Sequence, residues 1–264
     1  EIFIHKKENT LTAKKELLSV NNLSLKRSAK RADFVFSDVS FSLQQGEVLG
    51  IFGLMGAGRT ELLETIFGLY PKLTSGTLKI EGKTVTIASP VDAVKAGLAL
   101  VPEDRKKDGI VPGMDVKQNI SLASLGEQVE RNGFLNTKAE VSLATKYIQE
   151  LGIKTSSSGQ LIKELSGGNQ QKAILGKWLA THPKVLLLDE PTRGIDVHAK
   201  SEIYKLILQL ASSGLGILMV SSELPEIFAV SDRVLVLAEG QLTLESAINE
   251  ATEDRLLKAA ISKK

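Results

Sequence analysis

Blocks of alternating and continuous apolar residues along the chain predict strands and helices that follow one another. Alternating apolar positions between Asp33 and Phe41 are typical of a half-buried strand, and the apolar run Val48–Phe52 predicts a buried one. From Lys138 to Leu151, apolar residues recur with the spacing of an amphipathic helix. Further strands are predicted at 17–20, 77–80, 84–87, 185–188, 215–221 and 234–237, and further helices at 60–67, 167–182 and 197–210.

The order of these elements predicts the fold class. Because strands alternate with helices, we expect an α/β fold of βαβ units with a mostly parallel sheet. A largely helical block at 105–182 predicts a helical subdomain inserted between the core segments 17–104 and 183–264. Residues 1–16 contain Lys and Glu but few apolar side chains, and we interpret them as a linker or arm, with a frayed terminus as the alternative.

The amino-acid composition limits the classes of partner and of chemical site that the chain can have. The chain has 264 residues, of which 42% are apolar and 24% charged, so it can bury a sizeable core. A formal net charge of +2 gives no reason to expect nucleic acid or an anionic membrane as a partner. The sequence has no cysteine, which excludes disulfides and cysteine-based zinc or redox sites. Because the chain begins at Glu1 rather than Met, we expect it to be cut from a longer polypeptide.

A glycine-rich segment lies between a predicted strand and a predicted helix, which is the context of a phosphate-binding loop. It consists of Gly53, Leu54, Met55, Gly56, Ala57, Gly58, Arg59 and Thr60. Its glycines let backbone N–H groups turn toward a phosphate, and the helix start adds partial positive charge. Thr60 offers a hydroxyl to Mg²⁺, whereas Arg59 replaces the usual lysine and Glu61 adds a carboxylate beside the cradle. A glycine-rich turn without a ligand is the alternative.

Two carboxylates, Asp189 and Glu190, follow the apolar strand at 185–188. In NTPases with a phosphate loop, an acidic residue at a strand end acts on Mg²⁺, and we assign this role to Asp189. Glu190 is placed to polarise an attacking water. The alternative is a solvated acidic turn that binds nothing.

The segment at 165–172 reads Leu-Ser-Gly-Gly-Asn-Gln-Gln-Lys and resembles the signature motif of the ATP-binding cassette (ABC) ATPases. The helix start that it predicts has few side-chain atoms and consists of Ser166, Gly167, Gly168 and Asn169. Its N–H groups can reach the γ-phosphate of a nucleotide held by another cassette. A helix simply capped by Ser166 is the alternative. The resemblance implies a single cassette at 17–264 with a P-loop NTPase core, an N-terminal antiparallel β subdomain, and ATP and Mg²⁺ as ligands.

Four segments indicate which subgroup of ABC ATPases the chain resembles. They lie at 53–60, 102–105, 165–172 and 189–196. Together they are similar to the second of two fused cassettes in bacterial ATPases of monosaccharide importers of the ribose, galactose, arabinose and xylose type. The implied partners are the first cassette of the same polypeptide or a second copy, in a head-to-tail dimer, and transmembrane permease subunits. The resemblance also implies an indirect link with a periplasmic solute-binding protein, no nucleic-acid partner, and a peripheral place on the cytoplasmic face of the inner membrane.

Besides Arg59, two further positions depart from the pattern of an active cassette. Glu103 stands at the position of the Q-loop glutamine, and the resemblance gives it a catalytic and metal-binding role. Ser222 stands where the switch histidine is expected and lacks the charge and reach of an imidazole. We therefore expect this chain's own loop to form a weak or non-hydrolytic site, while its intact signature completes the partner's site.

Other residues receive structural interpretations. Phe34 and Phe36 are candidates for stacking on adenine but fit a core strand better, and His5, His182 and His198 are expected on the surface. The run Arg105–Lys107 forms either a patch for a membrane partner or, as we favour, a solvated loop.

Other classes of function also compete. A soluble ABC ATPase acting on DNA or ribosomes would carry coiled-coil insertions or a basic linker, which this sequence lacks. A non-hydrolysing, nucleotide-dependent interaction module stays open because the switch histidine is missing. A phosphate-loop kinase would leave the signature motif unexplained.

Overall fold

The computed structural model describes residues 15–30, 33–131 and 133–261, which form two compact units. The first unit contains the described residues up to Leu100, then Lys184–Glu190, then the described residues from Ile207 onward. The second unit contains Val101–Pro183 and Pro191–Leu206. Most of the predicted linker at 1–16 lies outside the described residues, and the predicted subdomain limits stay a prediction.

The described strands and helices follow one another in the predicted alternation. In chain order the strands are β1 (Glu16–Lys26), β2 (Phe34–Gln44), β3 (Val48–Gly53), β4 (Thr74–Ile80), β5 (Lys83–Val85), β6 (Leu98–Val101), β7 (Glu130–Arg131), β8 (Phe134–Leu135), β9 (Val185–Asp189), β10 (Gly216–Val220), β11 (Arg233–Ala238) and β12 (Gln241–Ala247). The helices are α1 (Arg59–Ile66), α2 (Pro90–Lys95), α3 (Val116–Ser121), α4 (Thr137–Glu150), α5 (Gly167–Leu179), α6 (Val197–Ser212), α7 (Leu224–Val230) and α8 (Glu253–Ile261).

The first unit contains an antiparallel sheet with the strand order β2-β1-β4-β5. Alternation in β1 and β2 sends Leu18, Val20, Phe36 and Leu43 into the core, where each is at most 2% exposed. The predicted core position is therefore confirmed for Phe36. It is wrong for Phe34, which begins β2 and is 40% exposed.

The second sheet has six strands in the order β12-β11-β3-β10-β9-β6. Strand β10 runs parallel to both β3 and β9, β11 runs parallel to β3, and only β12 is shown antiparallel to its neighbour. Every residue of β3, β9 and β10 is buried, as expected for strands covered on both faces. These sheets confirm the predicted α/β class with a mostly parallel core sheet and an antiparallel N-terminal sheet.

The second unit is largely helical, as predicted for the insert. Helices α3, α4 and α5 pack on one another. A Cβ on Gly176 of α5 would lie 3.2 Å from the Tyr147 Cβ of α4, so the missing side chain allows the two helices to approach closely. The Tyr147 hydroxyl donates to the carbonyl oxygen of Leu179 at 2.9 Å and secures the end of α5. Over the described parts of the chain, no helix has the length and apolarity needed to cross a bilayer.

Candidate functional site

The parallel strands β3, β10 and β9 bring three predicted segments to one edge of the sheet. The carboxyl ends of adjacent parallel strands meet at the same edge, where open α/β sheets bind their ligands. The glycine-rich loop follows β3, Ser221 and Ser222 follow β10, and Glu190 follows β9. The first unit therefore gathers the phosphate loop, the acidic strand end and the switch position.

The glycine-rich loop ends at a helix start, as predicted. Gly58 is the N-cap of α1, and its φ of +92° lies in the left-handed region that favours glycine. No side chain caps this helix start. Glu61 lies in the first turn of α1, where a carboxylate is favourable for the helix dipole. At the tip of the loop, the Met55 side chain is 93% exposed.

Asp189 is the most strongly perturbed acid of this edge. It is 2% exposed, and burial raises the pKa of its carboxyl to about 7, while a hydrogen bond from the Thr60 side chain opposes the shift. The Oδ1 atom of Asp189 is buried and has no hydrogen-bond partner. A buried carboxylate oxygen without a partner is costly unless a cation arrives.

Arg59, the residue that replaces the usual lysine, pairs with Glu190. Its Nη1 atom lies 3.3 Å from Glu190 Oε1, and both side chains are about one-tenth exposed. The contact does not have hydrogen-bond geometry, so Arg59 Nη1 stays without a hydrogen-bond partner although it is buried. Glu190 has a φ of +44°, in the left-handed region, and its N–H donates to the carbonyl oxygen of Val220. The carboxylate predicted to polarise water is therefore engaged by a cation of the phosphate loop.

The residues of this edge fit a magnesium nucleotide. A hydroxyl and a carboxylate oxygen are ligands that Mg²⁺ accepts, and the partnerless Asp189 oxygen leaves a lone pair for it. In the portion of the chain that the structure describes, no group of three or more His, Cys, Asp or Glu side chains could hold a metal ion. An ion here would therefore take further ligands from water and phosphate, which is usual for Mg²⁺.

The switch position is fixed by its buried neighbours. The Ser221 hydroxyl donates to Glu226 Oε2 at 2.8 Å, and the Glu223 N–H donates to Ser221 Oγ at 3.0 Å. Ser221 and Glu226 are both nearly inaccessible, whereas Ser222 is exposed. These hydrogen bonds stabilise the backbone after β10, and the short, neutral side chain of Ser222 faces solvent.

The signature segment lies in the second unit. Ser166 is the N-cap of α5, but its side chain makes no capping hydrogen bond, so the alternative of a helix capped by this side chain is wrong. Instead Ser166 Oγ accepts a hydrogen bond from Asn169 Nδ2 at 2.9 Å, and Asn169 Oδ1 accepts one from the Lys154 N–H. The Ser166 side chain therefore accepts no hydrogen bond from the N–H groups at the helix start.

Close packing explains the second glycine of the signature. A Cβ on Gly168 would lie 2.7 Å from the Cβ of Ala199, on the first turns of α6. A distance below 3 Å is not found for real Cβ contacts, so any side chain here would displace the helix start. The turn at 194–196 before α6 is closed by Asp196, whose Oδ1 accepts a hydrogen bond from the Ala199 N–H.

The prediction of a solvated loop at Arg105–Lys107 is wrong for its first residue. Lys106 and Lys107 are exposed, but Arg105 is half-buried and burial lowers the pKa of its guanidinium. Its Nε atom donates to Gln170 Oε1 at 3.1 Å. The reason is that Arg105 begins a π-helical turn that lies against α5.

Glu103 lies in the second unit and forms an ion pair with Arg193. With Asp104, Arg105 and Lys106, these two residues line a cavity of about 470 Å³. The catalytic and metal-binding role of Glu103 stays a prediction. His182 and His198 are exposed, as expected, and His5 lies outside the described residues.

The sequence does not indicate which charged side chains pair with one another at these sites. The pairs Arg59–Glu190 and Glu103–Arg193 join positions that are far apart in the chain, and no periodicity links them. The contact of Arg105 with Gln170 of the signature helix likewise joins distant positions, and no local pattern indicates it.

The fold and these segments define an ATP-binding cassette. The family model described as ABC transporter matches residues 36–193, and the chain belongs to this family. Solved structures agree with the fold. A nucleotide-free ATP-binding cassette from an ABC transporter superimposes with a TM-score of 0.75 at 21% identity, covering 94% of this chain and 100% of that one. A dimeric cassette bound to ADP and Pi gives 0.74 at 18% identity, covering 88% of this chain and 99% of that one.

Curated relatives are considerably more similar in sequence. The ribose import ATP-binding protein RbsA of Rhodopirellula baltica is 51% identical over 248 residues, which are 94% of this chain and 48% of that protein. The xylose import ATP-binding protein XylG of Paraburkholderia xenovorans is 52% identical over 225 residues, which are 85% of this chain and 43% of that protein. The chain thus spans about half the length of the curated relatives that it matches.

Proposed function

We propose that this chain is the second, C-terminal cassette of an ATPase that powers bacterial import of a monosaccharide or a related small solute. The observation that carries the proposal is an asymmetry. The N–H groups at the start of the signature helix have no hydrogen bond from the Ser166 side chain, whereas the chain's own candidate base, Glu190, is paired with Arg59. The import proteins for ribose and xylose support the class of solute, since they are about half identical to this chain.

The chain's own phosphate loop would bind ATP with little or no hydrolysis. Thr60 and Asp189 would hold Mg²⁺, which when bound shields the negative charge of the phosphates. Arg59 Nη1, which lies beside Glu190 without a hydrogen bond, would donate to a phosphate oxygen and would stay within ion-pair distance of that carboxylate. A carboxylate paired with a guanidinium is not free to orient an attacking water, and Ser222 cannot replace a histidine beside it.

The signature would act on a nucleotide held by another cassette, either the first cassette of the same polypeptide or a second copy. In a head-to-tail dimer, the N–H groups after Ser166 would meet the γ-phosphate of that nucleotide. Preorganised N–H donors stabilise charge that develops on phosphate oxygens. Closure of the pair would then depend on the difference in ATP affinity between its closed and open states.

The coupled partners would be transmembrane permease subunits that receive solute from a periplasmic binding protein. The cassette would lie peripherally on the cytoplasmic face of the inner membrane. Nucleic acid is not among the proposed partners, since the net charge of +2 offers no basic surplus.

A second candidate function follows from the ion pair between Arg59 and Glu190. If Arg59 and Ser222 disable hydrolysis and no active partner cassette exists, the chain would be a nucleotide-dependent interaction module. Titration of Mg-ATP into the purified chain, with an assay for phosphate release alone and with its partner, distinguishes this module from an ATPase.

The test of the asymmetry compares two substitutions in a two-cassette protein that contains this chain. Gly168→Ala should lower steady-state ATPase about 100-fold, the loss typical of a displaced transition-state donor. Arg59→Met should keep most of the rate. Gly113→Ala is the matched control, since a Cβ there meets nothing within 4 Å. The opposite ranking of the two variants would overturn the proposal.

A further inference from the structure

The π-helical turn Arg105–Gly109 is fastened to the signature helix α5 at both ends. At its start, Arg105 Nε donates to Gln170 Oε1 at 3.1 Å. At its end, the Gly109 carbonyl oxygen accepts a hydrogen bond from Lys177 Nζ at 2.6 Å. Between these points, a Cβ on Gly109 would lie 2.6 Å from Ile174, so the turn lies directly on the helix. Such π-helical turns are uncommon and occur frequently at functional sites.

Gln170 extends the contact of Arg105 to the residues before the signature. It is buried, and its Nε2 atom donates to the carbonyl oxygens of Ile162 and Leu165 at 3.3 and 3.1 Å. The Gln170 N–H donates to the Ser166 carbonyl oxygen at 2.9 Å. Arg105 therefore joins a network that sets the path of the chain on both sides of Ser166.

The guanidinium also lies against the first residue of the helix. A Cβ on Gly167 would come 3.0 Å from Arg105 Nη2 and 3.5 Å from the Gly194 carbonyl oxygen. A cation beside a helix N-terminus opposes the helix dipole, and burial of Arg105 removes part of its hydration. Both effects offset what the hydrogen bond to Gln170 and the nearby Asp104 carboxylate contribute, so we expect Arg105 to add little net folding stability.

We infer that Arg105 is a positioning residue, whose guanidinium fork holds the signature turn Ser166–Asn169 in the shape that meets the partner's nucleotide. The inference rests on the proposed function of the signature. One branch of the fork, Nε, fixes Gln170, and the other, Nη2, occupies the space beside Gly167. A lysine has one ammonium group and cannot do both at once.

The test measures ATPase and stability for Arg105→Met and Arg105→Lys in the two-cassette protein. Both variants should lower kcat about 10-fold, as expected for loss of one charged hydrogen bond that orders a site. The KM for ATP should stay unchanged, because the partner's phosphate loop holds the nucleotide, and the urea midpoint should not fall. Lys107→Met is the matched control, since it removes an exposed charge from the same turn and should keep the parent kcat.

Hydrogen exchange in this chain gives a second readout without nucleotide. Arg105→Met should speed exchange of the Gln170 and Gln171 amides about 10-fold and leave the middle of α5 unchanged. A full kcat in Arg105→Met, a full kcat in Arg105→Lys, or unchanged exchange would each overturn the inference. If Gly168→Ala also keeps full ATPase, the proposed function fails; if Gly168→Ala is inactive while Arg105→Met is fully active, only the inference fails.

Discussion

The phosphate-loop edge of the first unit and the signature helix of the second unit hold buried charge in different ways. At the loop, Asp189 is desolvated and keeps one oxygen without a partner, while Arg59 and Glu190 neutralise each other. The signature turn Ser166–Asn169 contains no charged residue, and the desolvated cation Lys177, further along α5, donates to the carbonyl oxygen of Gly109. Burial moves the two pKa values in opposite directions, to about 7 for Asp189 and about 8 for Lys177.

This difference in buried charge indicates that the phosphate-loop edge and the signature helix bind different ligands. The loop edge has an uncompensated acceptor, which is suited to a cation that arrives with a ligand. The signature turn has no charged side chain of its own, and the nearby cations Arg105 and Lys177 donate to Gln170 and Gly109, so its backbone donors are suited to an anion brought by another surface. The same chain would thus bind one nucleotide and serve a second one.

The largest effect that we expect is a pH dependence of the free energy of unfolding that comes from Lys177. Its pKa is about 8 in the folded chain and about 10.5 when unfolded, so between these values the unfolded state binds more protons. Stability from this group should therefore rise with pH across the window. Relative to Lys177→Met, the unfolding free energy of the parent should gain about 2 kcal/mol between pH 7 and pH 10 in urea titrations.

The control for this prediction is Lys107→Met, which removes an exposed lysine of the same unit. Its unfolding free energy should differ from that of the parent by the same amount at both pH values. If the unfolding free energies of the parent and of Lys177→Met change in parallel with pH, the Lys177 ammonium is not desolvated. The contrast between the two regions would then be lost.

A smaller effect concerns the ion pair Arg59–Glu190. Removal of either partner leaves a charge that is about nine-tenths buried without its counterion, so Arg59→Met and Glu190→Gln should each destabilise the chain. The double variant should recover part of the loss, with a coupling energy of about 1 kcal/mol from urea unfolding. The pair Asp254–Lys258 is the control, because both side chains are about three-quarters exposed and should show almost no coupling.

The sequence predicts elements well where one period dominates. The buried strands β3, β9 and β10 and the amphipathic helix α4 are found where their apolar patterns place them. Since parallel strands end at a common edge, the gathering of the phosphate loop and Asp189 also follows from the order of elements.

Contacts between distant charged side chains are not predictable in this way. Nothing local tells whether Arg59 will face a phosphate or Glu190, because both are acceptors for the same guanidinium. Arg105 lies in a run of charged residues typical of a solvated loop, and only the π-helical turn on α5 buries it. The side chain of Ser166, a residue typical of helix caps, instead accepts its hydrogen bond from Asn169.

Whether this chain's own site hydrolyses ATP is tested by the steady-state ATPase rate of a two-cassette protein that carries Glu190→Gln in this chain. Because Arg59 already engages Glu190, this carboxylate would not act as a general base, and we expect at least about half of the parent rate to remain. A fall of about 100-fold, the usual cost of removing a general base, would contradict the proposed division of roles. It would show that this chain's own site hydrolyses ATP.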